Sequence, residues 1–429
     1  MKNRRWILLA VAAMMAATAS AQTAREEMKR DIHRSASNHL AYPGPRNKLT
    51  PAPKGMKPFY ISHYGRHGSR FLTNEREYNN PYETLVRAER QKKLTPLGTE
   101  VLARVERLRA EASGRIGELT PLGALQHKQI ARRMYERFPE VFEGNATVDA
   151  RSTIVIRCIL SMENALQQLL VMNPRLRITH DASQHDMYYM NFRDSALRKK
   201  MMPTSAEKVF DAFAETKEHP ARLMSILFND TAYVNHHVDT KNLARQLFKL
   251  ASAAQNTELR RQITLYDIFT DEEIYDFWEK ENAWWYIRYG PSPLNGGQQP
   301  YSQRNLLRRI IEQADSCIRL PKPGATLRFG HETMVLPLCC LLELNNCGLQ
   351  VLELDELVKN EWYNYRIFPM GANVQFIFYR SSPEDDNVLF KVLLNEDEAT
   401  LPLKTSQPPY YRWADFREYY LKKIDDYKD

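Results

Sequence analysis

The sequence predicts an α/β fold: a central, mostly parallel sheet flanked by helices, with an α-helical cap inserted at residues 181–318. Three observations carry the prediction. Short strand-like runs at 59–61, 146–150 and 325–329 alternate with stretches of helical period, as in a sheet covered by helices. Between residues 181 and 318 the strand pattern stops, and the chain turns polar-aromatic with short helical periods only. Two late apolar runs, 371–380 and 387–394, flank the turn-forming residues 381–386, the pattern of an antiparallel hairpin. Residues 22–180 and 319–429 would then make up the α/β domain.

In chain order, the first 21 residues read as an export leader. Lys2, Arg4 and Arg5 precede an apolar run over residues 6–17, and Ala19-Ser20-Ala21 offers a small-residue cleavage site before Gln22. The run is short for a membrane span, no later stretch is apolar for long enough, and no cysteine follows the cleavage site to carry a lipid. A mature protein in the periplasm or secreted, without a stable membrane anchor, is expected. Residues 22–57 read as an irregular lead-in, interrupted by Tyr42-Pro43-Gly44-Pro45 and Pro51-Ala52-Pro53. The strand at 59–61 follows and is expected to break at Gly65-Arg66, before helical period over 79–112. Leu94-Thr95-Pro96-Leu97-Gly98 recurs as Leu119-Thr120-Pro121-Leu122-Gly123, each time ahead of a helix. Threonine suits the N-cap and proline the first helical position, so the echo reads as shared capping chemistry, not as an internal repeat. A helix is expected over 124–138, a strand over 146–150, and a helix opening at Arg151-Ser152-Thr153 that carries Arg157 and Cys158. Beyond the cap, with its turn-rich loop at 290–300, the strand at 325–329 leads through Gly330-His331-Glu332-Thr333 into a helix reaching Leu344.

The chain has 429 residues, 43% of them hydrophobic, enough for one large or two medium domains. Its formal charge is +8, and loss of the leader would leave 57 basic against 52 acidic residues. That mild excess suits a surface or an anionic small molecule; no basic block with interleaved aromatics is present, so no nucleic-acid partner is expected. The five cysteines (Cys158, Cys317, Cys339, Cys340 and Cys347) are odd in number and crowded late. Cys158 and Cys339 sit in apolar helical surroundings, so at most one disulfide is expected and none as a framework.

The chemistry is concentrated in Arg66-His67-Gly68-Ser69-Arg70. A strand ending in a Gly-flanked turn presents its side chains at the carboxyl edge of the sheet, where open α/β folds bind ligands. Two guanidinium forks beside an imidazole suit a phosphate, and fixed positive charge keeps the imidazole neutral and able to attack. A basic surface turn would give the same local pattern, so other stretches decide. Arg157 and His331-Glu332 lie at two further strand ends, near helix starts that also favour anions. Two histidines and three arginines converging there would surround a phosphoryl group, and one carboxylate beside them would protonate a leaving oxygen.

With these motifs in this order, the chain resembles the histidine acid phosphatases, the clade-two branch of the histidine phosphatase superfamily. The resemblance rests on Arg66-His67-Gly68-Ser69-Arg70, Leu119–Gly123, Arg157-Cys158-Ile159-Leu160-Ser161-Met162-Glu163 and Phe329-Gly330-His331-Glu332-Thr333, and covers nearly the whole mature chain. Phe329-Gly330-His331 and Pro337-Leu338 are most similar to the multiple inositol polyphosphate phosphatases and bacterial phytases. The resemblance implies that His67 is the nucleophile and becomes a phosphohistidine. Arg66, Arg70, Arg157 and His331 would bind the phosphoryl oxygens, and Glu332 would serve as acid and then as base, without cofactor or metal. Acid phosphatases and many phytases carry His-Asp at this point, and the inositol polyphosphate branch His-Ala-Glu; here His331-Glu332 are adjacent. Glu332 either takes the aspartate position with one more methylene, or the loop is shifted by a residue. The expected substrate is a phosphorylated small molecule, an inositol polyphosphate such as phytate. A broad-specificity acid phosphatase, an exported phospho-ligand binding protein and a phosphomutase are the alternatives.

Other residues admit plainer readings. His63, His67 and the pair His236-His237 raise zinc, but a spacing of four in a strand and turn does not align two imidazoles, and the arginines repel a cation. Glu163 either orients a pocket arginine or makes an ordinary helical ion pair. Arg198-Lys199-Lys200 would greet a highly charged substrate from the cap, or form a solvated face. Trp284-Trp285-Tyr286 reads most simply as packing.

Overall fold

The computed structural model describes residues 23–428; the expected leader and its cleavage site lie outside the described residues. Eight strands form one mixed sheet: β1 (Lys57–Arg66), β2 (Thr147–Ser152), β3 (Arg177–Asp181), β4 (Gly324–Gly330), β5 (Asn373–Arg380), β6 (Leu389–Leu394), β7 (Asp397–Ala399) and β8 (Tyr411–Arg412). Their order is β3-β2-β4-β1-β5-β6-β7, with β8 on β6. The four strands from β3 to β1 are parallel, and the later ones are added antiparallel. The principal helices are α1 (Arg76–Arg90), α2 (Pro96–Ala112), α3 (Pro121–Arg137), α4 (Ile156–Met172), α5 (Thr240–Ala254), α6 (Asp271–Tyr289), α7 (Arg304–Cys317), α8 (Glu332–Leu341) and α9 (Trp413–Asp425).

Alternation along the strands sorts the two faces. Tyr60, Tyr64, Phe376 and Phe378 pack against α7, α8, α9 and the end of α6. Ile61, Leu327, Phe329 and Ile377 pack against α3 and α4 on the other side. A separate apolar cluster contains no sheet residue: α1, α2 and α5 close around Leu223, Leu227, Phe269 and Phe277. This helical unit draws on residues 71–112 as well as 223–277, while α7 lies on the sheet. The unit defined by packing and the stretch 181–318 defined by sequence therefore overlap without coinciding.

The structure corrects several boundaries. β1 does not break at Gly65-Arg66 but pairs with β4 as far as Arg66↔Gly330. Gly65 is tolerated in the strand because the His63 ring fills the space beside it: a Cβ there would lie 2.7 Å from His63 Cε1. β2 continues to Ser152 and the next helix opens only at Ile156, because Thr153 N donates to Phe329 O at 3.0 Å and holds the chain on β4. β3 carries no apolar alternation in Arg177-Ile178-Thr179-His180-Asp181 and lies at the exposed sheet edge, so no period announces it. The lead-in is not irregular throughout: residues 32–39 form a 3₁₀ helix capped by Asp31. α8 stops at Leu341 instead of Leu344, since Glu343 and Asn345 adopt φ of 55° and 47°.

The two Leu-Thr-Pro-Leu-Gly segments cap α2 and α3 as expected: Thr95 accepts from Gly98 N at 3.0 Å and Thr120 from Gly123 N at 3.3 Å. Each also docks a passing chain. Thr95 N donates to Leu227 O at 3.0 Å, and Thr120 N to Ser69 O at 2.9 Å. A Cβ on Gly98 would sit 2.1 Å from Leu227 O, and one on Gly123 2.2 Å from Ser69 O. Glycine is required at both for this approach. All five cysteines are free thiols.

Candidate active site

The parallel strands deliver the predicted residues to one edge. Arg66 is the last residue of β1, His67 follows it, Arg157 is the second residue of α4, and His331 and Glu332 join β4 to α8. All six predicted residues converge. Glu332 Oε2 lies 3.1 Å from Arg66 Nε and 3.3 Å from His67 Nε2, and its Oε1 is 3.8 Å from Arg70 Nη2. The His67 and His331 rings meet edge-on at 5.8 Å. His331 is the helix N-cap and Glu332 the first helical residue, so the direct His-Glu sequence brings the carboxylate to His67 with no intervening loop.

The motif is held from several sides. His67 N donates to Gly330 O at 2.9 Å, and Gly371 N to His67 O at 2.9 Å. Gly68 N donates to Ser161 Oγ at 3.1 Å, and Ser69 N to Gln126 Oε1 at 2.8 Å. A Cβ at Gly68 would fall 2.4 Å from Gly123 O, so only glycine lets the turn lie on the α3 terminus. These bonds fix the main chain, and the main chain fixes the imidazole. Gly68 O lies 2.9 Å from His67 Nδ1 and can only accept, so the ring carries its proton there. Nε2 is left without a proton and finds no hydrogen-bond partner among the described residues.

Charge is distributed accordingly. Burial holds the His67 imidazole well below its ordinary pKa, and Arg66 and Arg157 add to the effect against the opposing Glu332. Burial likewise lowers His331 to about 4, helped by Arg157, Arg66 and Arg70. Burial pushes the Glu332 carboxyl up, but the Arg66 and Arg70 guanidiniums outweigh it and hold it well below the usual carboxylate range. Arg66 Nη2, Arg70 Nε and Arg157 Nε are buried N–H groups without a partner among the described residues. Buried donors of this kind call for an acceptor, and three guanidiniums around one bare nitrogen call for an anion.

The site opens into a cleft of about 460 Å³ lined by Arg70, Arg157, His331 and Glu332 and also by Arg193, Arg198 and Tyr289. Of the basic run at 198–200, Arg198 lines the cleft. Glu163 instead pairs with His180 at 2.7 Å on the surface, and Trp285 and Tyr286 are buried packing residues. His67, His331 and Glu332 could together offer three metal ligands within 4.8 Å, but Arg66 and Arg70 already stand on that carboxylate and oppose a cation. His63 belongs to no such cluster; it is buried behind the motif against Phe329. His39 is a neighbour that sequence reasoning missed. It is buried, its backbone carbonyl accepts from Asn256 Nδ2 at 2.7 Å, and Asn256 Oδ1 accepts from Ser69 Oγ at 2.6 Å. No local pattern in the lead-in marks it.

The family model of the histidine phosphatase superfamily (branch 2) matches residues 65–395. The multiple inositol polyphosphate phosphatase of Bifidobacterium longum in complex with inositol hexasulfate is similar at a TM-score of 0.73 and 18% identity, over 90% of this chain and 97% of that one. Its complex with phosphate gives 0.75 and 17%, over 91% and 98%. The phytase from D. castellii gives 0.68 and 15%, over 92% and 86%. No curated protein matches the chain by sequence.

Proposed function

Because the chain belongs to the histidine phosphatase superfamily, branch 2, we propose that it hydrolyses phosphate monoesters through a phosphohistidine on His67, with inositol polyphosphates as its substrates. The observation that carries the reading is the bare His67 Nε2, its other nitrogen committed to Gly68 O, facing Glu332 inside a ring of arginines. In the first step Nε2 attacks phosphorus, the ester P–O bond breaks, and the leaving alkoxide takes a proton from Glu332. In the second, the Glu332 carboxylate takes a proton from water as that water attacks phosphorus, the N–P bond breaks, and phosphate departs. Arg66, Arg70, Arg157 and His331 donate to the phosphoryl oxygens, whose charge spreads in the transition state. Glu332 must be protonated for the first step, yet the arginines hold it ionised. A bound phosphoryl dianion neutralises those arginines and sets negative charge beside the carboxyl, raising its pKa as substrate enters.

The substrate class is supported by Arg193 and Arg198, which also line the cleft and offer charge for phosphates that are not being cleaved, and by similarity to a protein crystallised with inositol hexasulfate. The amino-terminal Lys2, Arg4, Arg5, the apolar run and Ala21 support export to the periplasm or beyond. Phosphate release measured across phytate, sugar phosphates and an aryl phosphate tests the substrate. Trapping of an acid-labile phosphoryl group on His67, absent from inactive His67→Ala, tests the intermediate. Equal rates on all substrates would favour a broad-specificity phosphatase, and phytate binding without turnover a binding protein.

A further inference from the structure

His331 does not stand alone at the end of β4. Its Nε2 lies 3.2 Å from Thr153 Oγ1, and both its ring nitrogens lie 3.8 Å from Cys158 Sγ. Thr153 and Cys158 are completely buried. The Cys158 thiol gives its proton to Gly330 O at 3.2 Å, so its sulfur turns lone pairs to the imidazole. Thr153 is fixed independently of any ligand: its N–H is bound to Phe329 O at 3.0 Å, on the strand that carries His331. The hydroxyl therefore has two nearby acceptors, Cys158 Sγ and His331 Nε2, and an imidazole nitrogen is much the stronger.

We propose that Thr153 is a positioning residue for His331: its hydroxyl donates to Nε2, so the neutral ring carries its proton on Nδ1 and offers it to a phosphoryl oxygen. The opposite tautomer would spend the only N–H of the ring on Thr153 and turn a lone pair on the anion. Burial and the three arginines keep the ring neutral, so the choice of nitrogen decides whether His331 binds or repels phosphate. The inference rests on the reading of His331 as a phosphoryl ligand.

The test compares Thr153→Val, which keeps the shape and loses the hydroxyl, with Thr153→Ser, which keeps it, each also in a His331→Ala background. The readouts are inhibition by inorganic phosphate, its binding by calorimetry, and kcat and KM for p-nitrophenyl phosphate. Thr153→Val should weaken phosphate and lower kcat/KM about tenfold, the worth of one hydrogen bond, while Thr153→Ser stays within about threefold. In the His331→Ala background the Thr153→Val effect should shrink below about twofold, because the residue acts only through the ring. Equal loss in Val and Ser, or an undiminished loss without His331, overturns the positioning role and leaves the reading of His331 standing. Wild-type phosphate affinity in His331→Ala alone overturns that reading, and the inference with it.

Discussion

Acidification should destabilise this protein through imidazoles that play no part in the chemistry, and His127 allows the effect to be isolated. His63 and His127 lie on either side of Phe329, at ring distances of 5.3 and 5.6 Å, directly behind the strand end that bears Arg66. Burial lowers His63 to about 3 and His127 to about 4, from an ordinary 6.5. Both pKa values are depressed in the folded state, so the unfolded chain takes up the protons first. The stability they contribute is full above pH 6.5 and falls as the pH drops towards 4 and 3. At pH 5 each group removes about 2 kcal/mol relative to pH 7.5, a large share of a total of about 5–15 kcal/mol. His127→Gln should remove one of these contributions. Urea unfolding at pH 7.5 and pH 5.0 gives the two free energies for each protein, and the wild-type drop should exceed that of the variant by about 2 kcal/mol. The variant is expected to be the weaker protein at pH 7.5, through lost packing, and to close much of the gap at pH 5.0. An identical drop in both proteins would show that the His127 pKa is not depressed, and would refute the argument.

Glu332→Gln should slow phytate hydrolysis by about 10²–10⁴-fold and aryl phosphate hydrolysis far less in its first turnover, since nitrophenolate leaves without a proton. Stopped-flow traces should show a burst followed by slow steady state; equal slowing without a burst would assign the acid to another group. Dialysis against a chelator should leave phosphate release unchanged, because guanidiniums supply the charge; a loss restored only by zinc would revive a metal at His67, His331 and Glu332. Gly123→Ala should lower kcat at least about tenfold while Gly98→Ala, which meets Leu227 instead of Ser69, should lower the melting temperature and spare kcat. Equal effects on kcat would mean that the Ser69 contact does not set the motif.

The residues of the candidate site were legible because each stands in a short motif whose residue types declare their chemistry: Arg66, His67 and Arg70 within five positions, and His331 beside Glu332. The capping threonines were legible for the same reason. What the sequence hid depends on partners far away in the chain. The length of β1 is set by pairing with β4, which lets Gly65 and Arg66 remain in the strand. His39 reaches the motif through Asn256, across hydrogen bonds spanning 217 and 187 residues. Thr153 looked like the opening of a helix, and only its bond to Phe329 keeps it extended beside His331. The helical unit needed α1 and α2, which by period alone are ordinary amphipathic helices.

The position of β4 bears on how the protein is made. Fourth in the chain, it lies between β2 and β1, two of the three strands synthesised before the long helical excursion. Those early strands cannot pair with one another in the native order, since their place of meeting is reserved for a segment more than 170 residues downstream of β2. A nascent chain that has not yet reached Gly324 thus has Arg66, His67 and Arg157 but an open seam between β1 and β2, and it has neither His331 nor Glu332. Domains generally fold as units during synthesis, and here the unit is completed by a late insertion at its centre. Truncated or stalled products should be devoid of activity and prone to aggregate through the unfilled seam.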